Sequence, residues 1–143
     1  MRSTSYRRVL VLLDGSRAGE RVLRWVRELA RGTDCVVHLL MVTRPARSVR
    51  DGRRVVAFVD QLEDAARHAA LAYLDRAATG LREDGLVVET HALAGRPLEV
   101  TWATADALAA DLAVLSVTDL PADVARSARL PILVTGPGCL RSA

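Results

Sequence analysis

The chain contains no lysine, and all 20 of its basic residues are arginine. This absence excludes Schiff-base catalysis by a lysine and the lysine of a Walker-type phosphate loop. Aromatic residues make up only 3% of the 143 residues. The core therefore has to be built from alanine, valine and leucine, which favours aliphatic layered α/β packing in one domain.

Cysteines and long apolar runs are also scarce. The two cysteines, Cys35 and Cys139, do not make the disulfide framework of a small secreted domain. Cys35 lies in a predicted buried strand, where we expect it to pack as a small hydrophobic residue. No apolar run reaches membrane-spanning length, and the first residues lack the apolar region of a signal peptide. These absences predict a cytoplasmic protein with no membrane partner.

Charges of both signs are spread along the chain. The 20 basic and 17 acidic residues leave a net charge of +3 and are interspersed. Such mixing is typical of a solvated surface and unlike the basic footprint of a nucleic-acid-binding protein. We therefore expect no nucleic-acid partner.

Short continuous apolar runs alternate with helical stripes. The runs predict strands at residues 9–13, 35–42, 86–93, 112–117 and 132–135. Helices are predicted after Ser16, from about Val56, from Pro97 and over 121–128. Strict alternation predicts a parallel sheet with right-handed crossovers and helices on both faces. One domain over residues 1–138 and a tail over 139–143 account for the whole chain.

The spacing of apolar residues also predicts which face of each helix is buried. The predicted inner stripe of the long second helix is Phe58, Leu62, Ala65, Ala69, Tyr73, Ala77 and Leu81. The corresponding stripe of the third helix is Leu98, Trp102, Ala105 and Ala109.

The first strand ends in Asp14-Gly15-Ser16. Ligands of open parallel sheets bind outside the carboxyl ends of the strands, so Asp14 is placed to accept a hydrogen bond from a ribose hydroxyl or a base. Turns of this kind also carry such residues for structure alone, with Asp14 shaping the turn and Ser16 capping the helix. The sequence leaves both interpretations open.

Five segments together resemble the universal stress protein family, and they cover almost the whole chain. They are YRRVLVLLDGS at 6–16, VHLLMV at 37–42, GRP at 95–97 with Glu99 and Val100, ADLAVL at 110–115, and LPILV at 130–134. The resemblance implies a Rossmann-like three-layer α/β/α sandwich of the adenine nucleotide alpha hydrolase type. Its five-stranded parallel sheet would have the order 3-2-1-4-5.

The resemblance also implies sites. It implies an adenosine-side pocket, vestigial if any ligand binds, at Leu12, Leu13, Asp14, Val42, Leu115 and Ser116. It further implies a homodimer through the last strand, with Ile132, Leu133 and Val134 at the edge.

The resemblance fails after the fourth strand. ATP-binding members of the family carry a glycine-rich phosphate loop there, whereas this chain has no glycine between Leu115 and Pro131 and is short by about a dozen residues. A phosphate cradle needs free amides in glycine-permitted geometry. Asp119 would add a like charge beside a phosphate. No cofactor is therefore expected, apart from weakly bound ATP or AMP.

Two other sets of residues are candidate sites. The segment 44–54 holds Arg44, Arg47, Arg50, Arg53 and Arg54. It is read either as a solvated connection or as an anion site replacing the lost loop. The three histidines, His38, His68 and His91, do not sit at metal-ligand spacings along the chain, so no metal site is expected. No catalytic set assembles.

The leading interpretation is a non-catalytic stress-response or signalling domain that acts by dimerisation or by binding a protein partner. The alternative is an adenine-nucleotide sensor that uses Asp14, Val42 and the arginines of 44–54. A third interpretation is an enzyme of the wider nucleotide-binding α/β class. The chain lacks the pyrophosphate-loop and histidine motifs of that class.

Overall fold

A computed structural model of the chain describes residues 6–45, 54–116 and 129–135. The described elements are β1 (Arg8–Leu12), α1 (Arg17–Ala30), β2 (Val36–Thr43), α2 (Arg54–Glu83), β3 (Val87–Ala94), α3 (Pro97–Leu108), β4 (Leu112–Ser116) and β5 (Ile132–Thr135). All five predicted strands are present within one or two residues of the predicted bounds. The helix predicted over 121–128 lies outside the described residues.

The strands form one parallel sheet in the order β3-β2-β1-β4-β5. The predicted fold class and strand order are confirmed. The central strand β1 has Val9, Leu10 and Val11 fully buried, because β2 and β4 flank it and helices pack against both of its faces. This is why the run is apolar at every position.

Alternate residues of the strands face two different helix layers. Val9, Val11 and Leu13 belong to the large cluster that the sheet forms with α1 and α2. Leu10 and Leu40 pack with Ala105 of α3 on the other face. These two clusters make the three-layer arrangement, since strand side chains alternate between faces.

The buried face of α2 is shifted from the predicted stripe. Leu62 is 46% exposed, and the fully buried positions include Ala70, Leu74 and Ala78. Of the predicted stripe, Leu81 is buried, and Tyr73 and Ala77 are half-buried against the core. Ala65 and Ala69 are exposed, and the side chain of Phe58 lies outside the described part of the chain. The prediction was therefore wrong over the first half of the described stripe, because a long helix rich in alanine offers several stripes of similar hydrophobicity.

The inner face of α3 also differs from the prediction. Ala105 is buried and Trp102 is half-buried against the core, as predicted. Thr101 and Thr104 are buried although they were not predicted, whereas Ala109 is exposed and ends the helix in the left-handed conformation. The threonine hydroxyls donate to carbonyls of the preceding turn, Thr101 to Pro97 at 2.6 Å and Thr104 to Val100 at 2.7 Å. Because each hydroxyl is satisfied within the helix, the threonines can be buried as small apolar groups.

The turn from β3 into α3 depends on Gly95. Its φ is +148°, and its N–H donates to the Thr43 carbonyl at 3.0 Å. A Cβ at this position would lie 2.5 Å from Cγ2 of Val100. Glycine is therefore required both for the backbone conformation and for the close approach of α3.

Within the part of the chain that the structure describes, no helix is both long enough and apolar enough to cross a lipid bilayer.

Candidate functional site

The strand order reverses between β1 and β4, and ligands of open parallel sheets bind outside the carboxyl ends of the strands at such a point; we call this end of the sheet the crevice. It begins with a tight turn built around Asp14. The preceding Leu13 N–H donates to the Leu40 carbonyl at 2.9 Å, which ties the end of β1 to β2. Oδ1 of Asp14 then accepts from the Ser16 backbone N–H at 2.9 Å and from the Ser16 hydroxyl at 2.5 Å. The carboxylate thus closes the turn on its own backbone two residues on.

Ser16 continues this network into α1. It is the N-cap of the helix, and its Oγ accepts from the Gly19 N–H at 3.0 Å. Gly15 between the two polar residues has φ +84°, a left-handed conformation that glycine adopts without strain. The turn and the start of α1 are therefore one hydrogen-bonded unit, with the helix N-terminus directed at the crevice.

The structure bears on both interpretations of Asp14. The turn-shaping and capping roles are confirmed by these hydrogen bonds. The ligand role stays a prediction. Asp14 is exposed, so its carboxylate is accessible from solvent while Oδ1 holds the turn.

The other predicted pocket residues divide between the two faces of the sheet. Leu12 and Val42 are half-buried on the α3 face. Leu115 also lies on that face, because it alternates with Val114 of the opposite cluster. Leu13 is buried on the α1 and α2 face. The backbone of Ser116 pairs with Thr135 at the end of β4.

The segments predicted to decide phosphate binding are only partly described. Arg44 is exposed at the end of β2, whereas the other four arginines of the 44–54 segment are not described at the side-chain level. Residues 117–128, which follow β4 and include Asp119, lie outside the described residues. So does Cys139.

Comparison with known proteins decides the family. A family model described as "Universal stress protein family" matches residues 5–135. The chain belongs to the universal stress protein family. As a member, it is a stress-response domain with the α/β fold described above. No curated protein sequence matches the chain.

Solved universal stress proteins share the fold over nearly their whole length. UspA from Lactobacillus plantarum has a TM-score of 0.74 at 20% identity, covering 92% of this chain and 99% of that chain. A universal stress protein in complex with cAMP has a TM-score of 0.71 at 19% identity, covering 93% and 98%. An Arabidopsis thaliana family member with AMP bound has a TM-score of 0.66 at 18% identity, covering 91% of each chain. At these identities the likeness concerns the fold.

The predicted dimer strand of this universal stress domain lies where the resemblance implied. β5 is the last strand of the sheet order and pairs with β4. Leu133 packs against the core, Ile132 is half-buried, and Val134 is 38% exposed. The edge position is confirmed, and dimerisation through it stays a prediction.

Sequence reasoning missed a second group of polar residues in this universal stress domain. His38 of β2 pairs in register with Glu89 of β3, and His91 follows two positions later on the same side of β3. Nδ1 of His38 lies 3.1 Å from Nε2 of His91 and 3.3 Å from Oε2 of Glu89. Spacing along the chain gave no signal that His38 belongs to this cluster, because His38 meets the other two residues across strands. The alternation Glu89-x-His91 was the available clue.

Burial lowers the pKa of His38, and the nearby Glu89 carboxylate acts in the opposite direction. The lowered pKa favours a neutral imidazole at neutral pH, with a nitrogen lone pair available as an acceptor or ligand.

Proposed function

We propose that this universal stress domain is non-catalytic and acts by dimerisation and protein-partner binding. In this proposal the crevice binds an adenosine-type ligand only weakly and does not bind phosphate groups. One observation carries the proposal. The Asp14 turn is complete, whereas the segment between β4 and β5, residues 117–131, contains no glycine to form a phosphate cradle.

The adenosine side of the crevice supports weak binding. Leu12 and Val42 offer half-buried apolar surface at the carboxyl ends of β1 and β2, and Asp14, with its exposed carboxylate, follows β1. A carboxylate at that position suits a ribose hydroxyl or a base N–H, and the apolar surface suits a base. Relatives at 18–19% identity were solved with AMP and cAMP, which supports an adenosine-type ligand here.

The phosphate side supports the absence of tight ATP binding. A phosphate held by several charge-assisted hydrogen bonds gains about 1.5–3 kcal/mol from each. The chain has no lysine to supply such a bond, and Pro121 has no amide hydrogen. Adding phosphates to adenosine should therefore add little affinity.

Calorimetric titration with adenosine, AMP and Mg-ATP tests this proposal. We expect dissociation constants that agree within about 10-fold across the three ligands, equivalent to less than about 1.4 kcal/mol. Asp14→Asn keeps an oxygen for the Ser16 turn but removes the charge, so it should weaken all three ligands equally. ATP binding about 100-fold tighter than adenosine would contradict the proposal.

The second candidate is an adenine-nucleotide sensor with a rewired phosphate site. The AMP and cAMP complexes of relatives and the capped N-terminus of α1 at the crevice favour it. Five arginines in 44–54 are its source of positive charge. Guanidinium groups bind phosphates through paired hydrogen bonds.

A matched pair of variants separates the two functions. Arg50→Gln combined with Arg53→Gln removes two arginines of the loop. Arg24→Gln combined with Arg67→Gln removes the same charge from exposed positions on α1 and α2. The sensor predicts loss of ATP affinity only in the first pair, whereas the leading proposal predicts the same small change in both. ATP hydrolysis that disappears in Asp14→Asn would contradict a non-catalytic role.

A further inference from the structure

His38, Glu89 and His91 bring three metal-ligating atoms together on one face of the sheet. One nitrogen from each histidine and one oxygen of Glu89 all lie within 4.8 Å of one another. The cluster is separate from the crevice, since His38 precedes Val42 by four positions along β2. It uses no residue of the proposed adenosine pocket.

Register and alternation create the cluster. His38 and Glu89 are direct neighbours across β2 and β3, while His91 pairs with Leu40 two positions on. Residues two apart on a strand share a face. The three side chains therefore point the same way and converge without any loop to position them.

Two of the three separations match those between ligands of one ion, and the third, between the His91 nitrogen and the Glu89 oxygen, is within 4.8 Å. Two ligands at about 2.0–2.1 Å from a tetrahedral zinc ion are about 3.3 Å apart. Nδ1 of His38 lies 3.1 Å from the His91 nitrogen and 3.3 Å from the Glu89 oxygen. Nδ1 of His38 carries at most one hydrogen atom. It can donate hydrogen bonds to both His91 and Glu89 only if that single hydrogen is shared between them. A cation would bind all three atoms at once.

The three residues form a site that solvent can reach on one side and that the buried His38 anchors on the other. The side chain of His38 is 6% exposed, whereas that of Glu89 is 58% exposed. β3 is an edge strand, so an ion can approach from solvent, and water can complete its coordination. Three protein ligands and an open position are a recurrent zinc arrangement.

We propose that His38, Glu89 and His91 form a binding site for a divalent transition metal such as Zn²⁺. Imidazole nitrogen selects Zn²⁺, Co²⁺, Ni²⁺ or Cu²⁺ over Mg²⁺ and Ca²⁺, which prefer all-oxygen ligands. The bound ion would join the edge strand β3 to β2. Because the unfolded chain has no such arrangement, binding would stabilise the folded domain in proportion to metal concentration.

The experiment uses untagged protein, since a histidine tag would bind the same ions. Every protein carries Cys139→Ser, because a free thiolate also binds zinc. Zn²⁺ affinity is measured by competition with a chromophoric chelator, and thermal unfolding is followed with and without Zn²⁺. We expect one Zn²⁺ per chain, a rise in the unfolding temperature, and no competition from millimolar Mg²⁺.

The variants change exposed Glu89 and half-buried His91. His38 is left unchanged because it is buried, and replacing it could unfold the domain. Losing a second-shell partner of a metal ligand typically costs about 10–100-fold in metal affinity. His91→Ala removes a direct ligand, and Glu89→Gln replaces a charged carboxylate ligand with a much weaker neutral amide oxygen, so each should weaken Zn²⁺ binding by at least that much. The matched controls are Glu83→Gln and His68→Ala, which change the same residue types at exposed positions of α2. The controls should bind Zn²⁺ as the parent does.

Four results would overturn the proposal. They are no Zn²⁺ binding by the parent protein, equal losses in the controls, equal competition by Mg²⁺, or a Co²⁺ spectrum with thiolate charge-transfer bands. Unchanged unfolding temperatures of Glu89→Gln and His91→Ala without metal would show that their losses of Zn²⁺ affinity come from removed ligands.

Discussion

Gly19 of α1 faces the carboxylate of Asp14 so closely that a Cβ on Gly19 would lie 2.9 Å from Asp14 Oδ1. That oxygen already holds the Ser16 amide and hydroxyl, and Ser16 holds the Gly19 amide. The turn, the cap and the first helical turn therefore constrain one another. The backbone of Gly19 is helical, so any residue could adopt its conformation. Glycine is needed at this position because a side chain would collide with Asp14.

Gly19→Ala should not give the stability that glycine-to-alanine changes give elsewhere in helices. Alanine in a helix interior is favoured over glycine by about 1 kcal/mol, but here its methyl group would push the Asp14 carboxylate. The matched control is Gly80→Ala in α2, where the added Cβ would meet the flexible end of Arg27 at 3.2 Å. Urea unfolding should show a gain for Gly80→Ala only. Equal gains in stability in both variants would show that the Asp14 turn moves to accommodate the added methyl group at no cost.

Gly95→Ala should destabilise the domain through two separable effects. The added Cβ would clash with Val100, and the φ of +148° is unfavourable for any side chain. A sparsely populated backbone conformation costs about 1–3 kcal/mol. Combining Gly95→Ala with Val100→Ala should recover the steric part and leave the backbone part. If, in urea unfolding, the double variant loses as much free energy of unfolding as the two single variants together, the clash between residues 95 and 100 does not contribute to the destabilisation.

Val134→Lys should weaken the expected homodimer. Val134 lies on the edge strand β5 and is 38% exposed. Lysine on an edge strand opposes pairing with another chain. The control is Val87→Lys on the opposite edge strand β3, where Val87 is 59% exposed. Sedimentation should show a dimer that is lost in Val134→Lys alone. Loss in Val87→Lys alone would move the interface to β3.

Cys35 should make the domain less stable at alkaline pH. Burial, with the Asp111 carboxylate, raises the pKa of the Cys35 thiol. Between the unfolded and folded pKa values, the unfolded chain has released the thiol proton and the folded chain retains it. Stability therefore falls as pH rises through the unfolded pKa, by at most about 1.4 kcal/mol per pH unit.

The Cys35→Ala variant isolates this effect. Its loss of packing is independent of pH, so the stability difference from the parent protein should shrink as pH rises above about 8.5, the ordinary cysteine pKa. Urea unfolding at several pH values measures the difference. A constant difference from pH 7 to 10 would show that the thiol titrates normally in the folded state.

Much of the Asp14 site was predictable because its bonds are local. Asp14, Ser16 and Gly19 lie within six residues, and turn and cap chemistry at such spacing is readable from residue types. The role of Asp111 was not readable. Its carboxylate accepts the backbone N–H groups of Arg7 at 2.8 Å and Arg8 at 3.0 Å, across a separation of more than a hundred residues.

The alternation of strands and helices, the parallel sheet and the turn after β1 could be predicted from the sequence, because apolar periodicity and turn chemistry act over a few residues. The order of the strands came from the family resemblance. Packing between distant elements sets which stripe of α2 is buried and which residues meet across strands, so neither could be predicted from local patterns. His38, Glu89 and His91 converge because packing sets the register of β3 against β2, and a shift of one residue would move one strand's side chains to the opposite face.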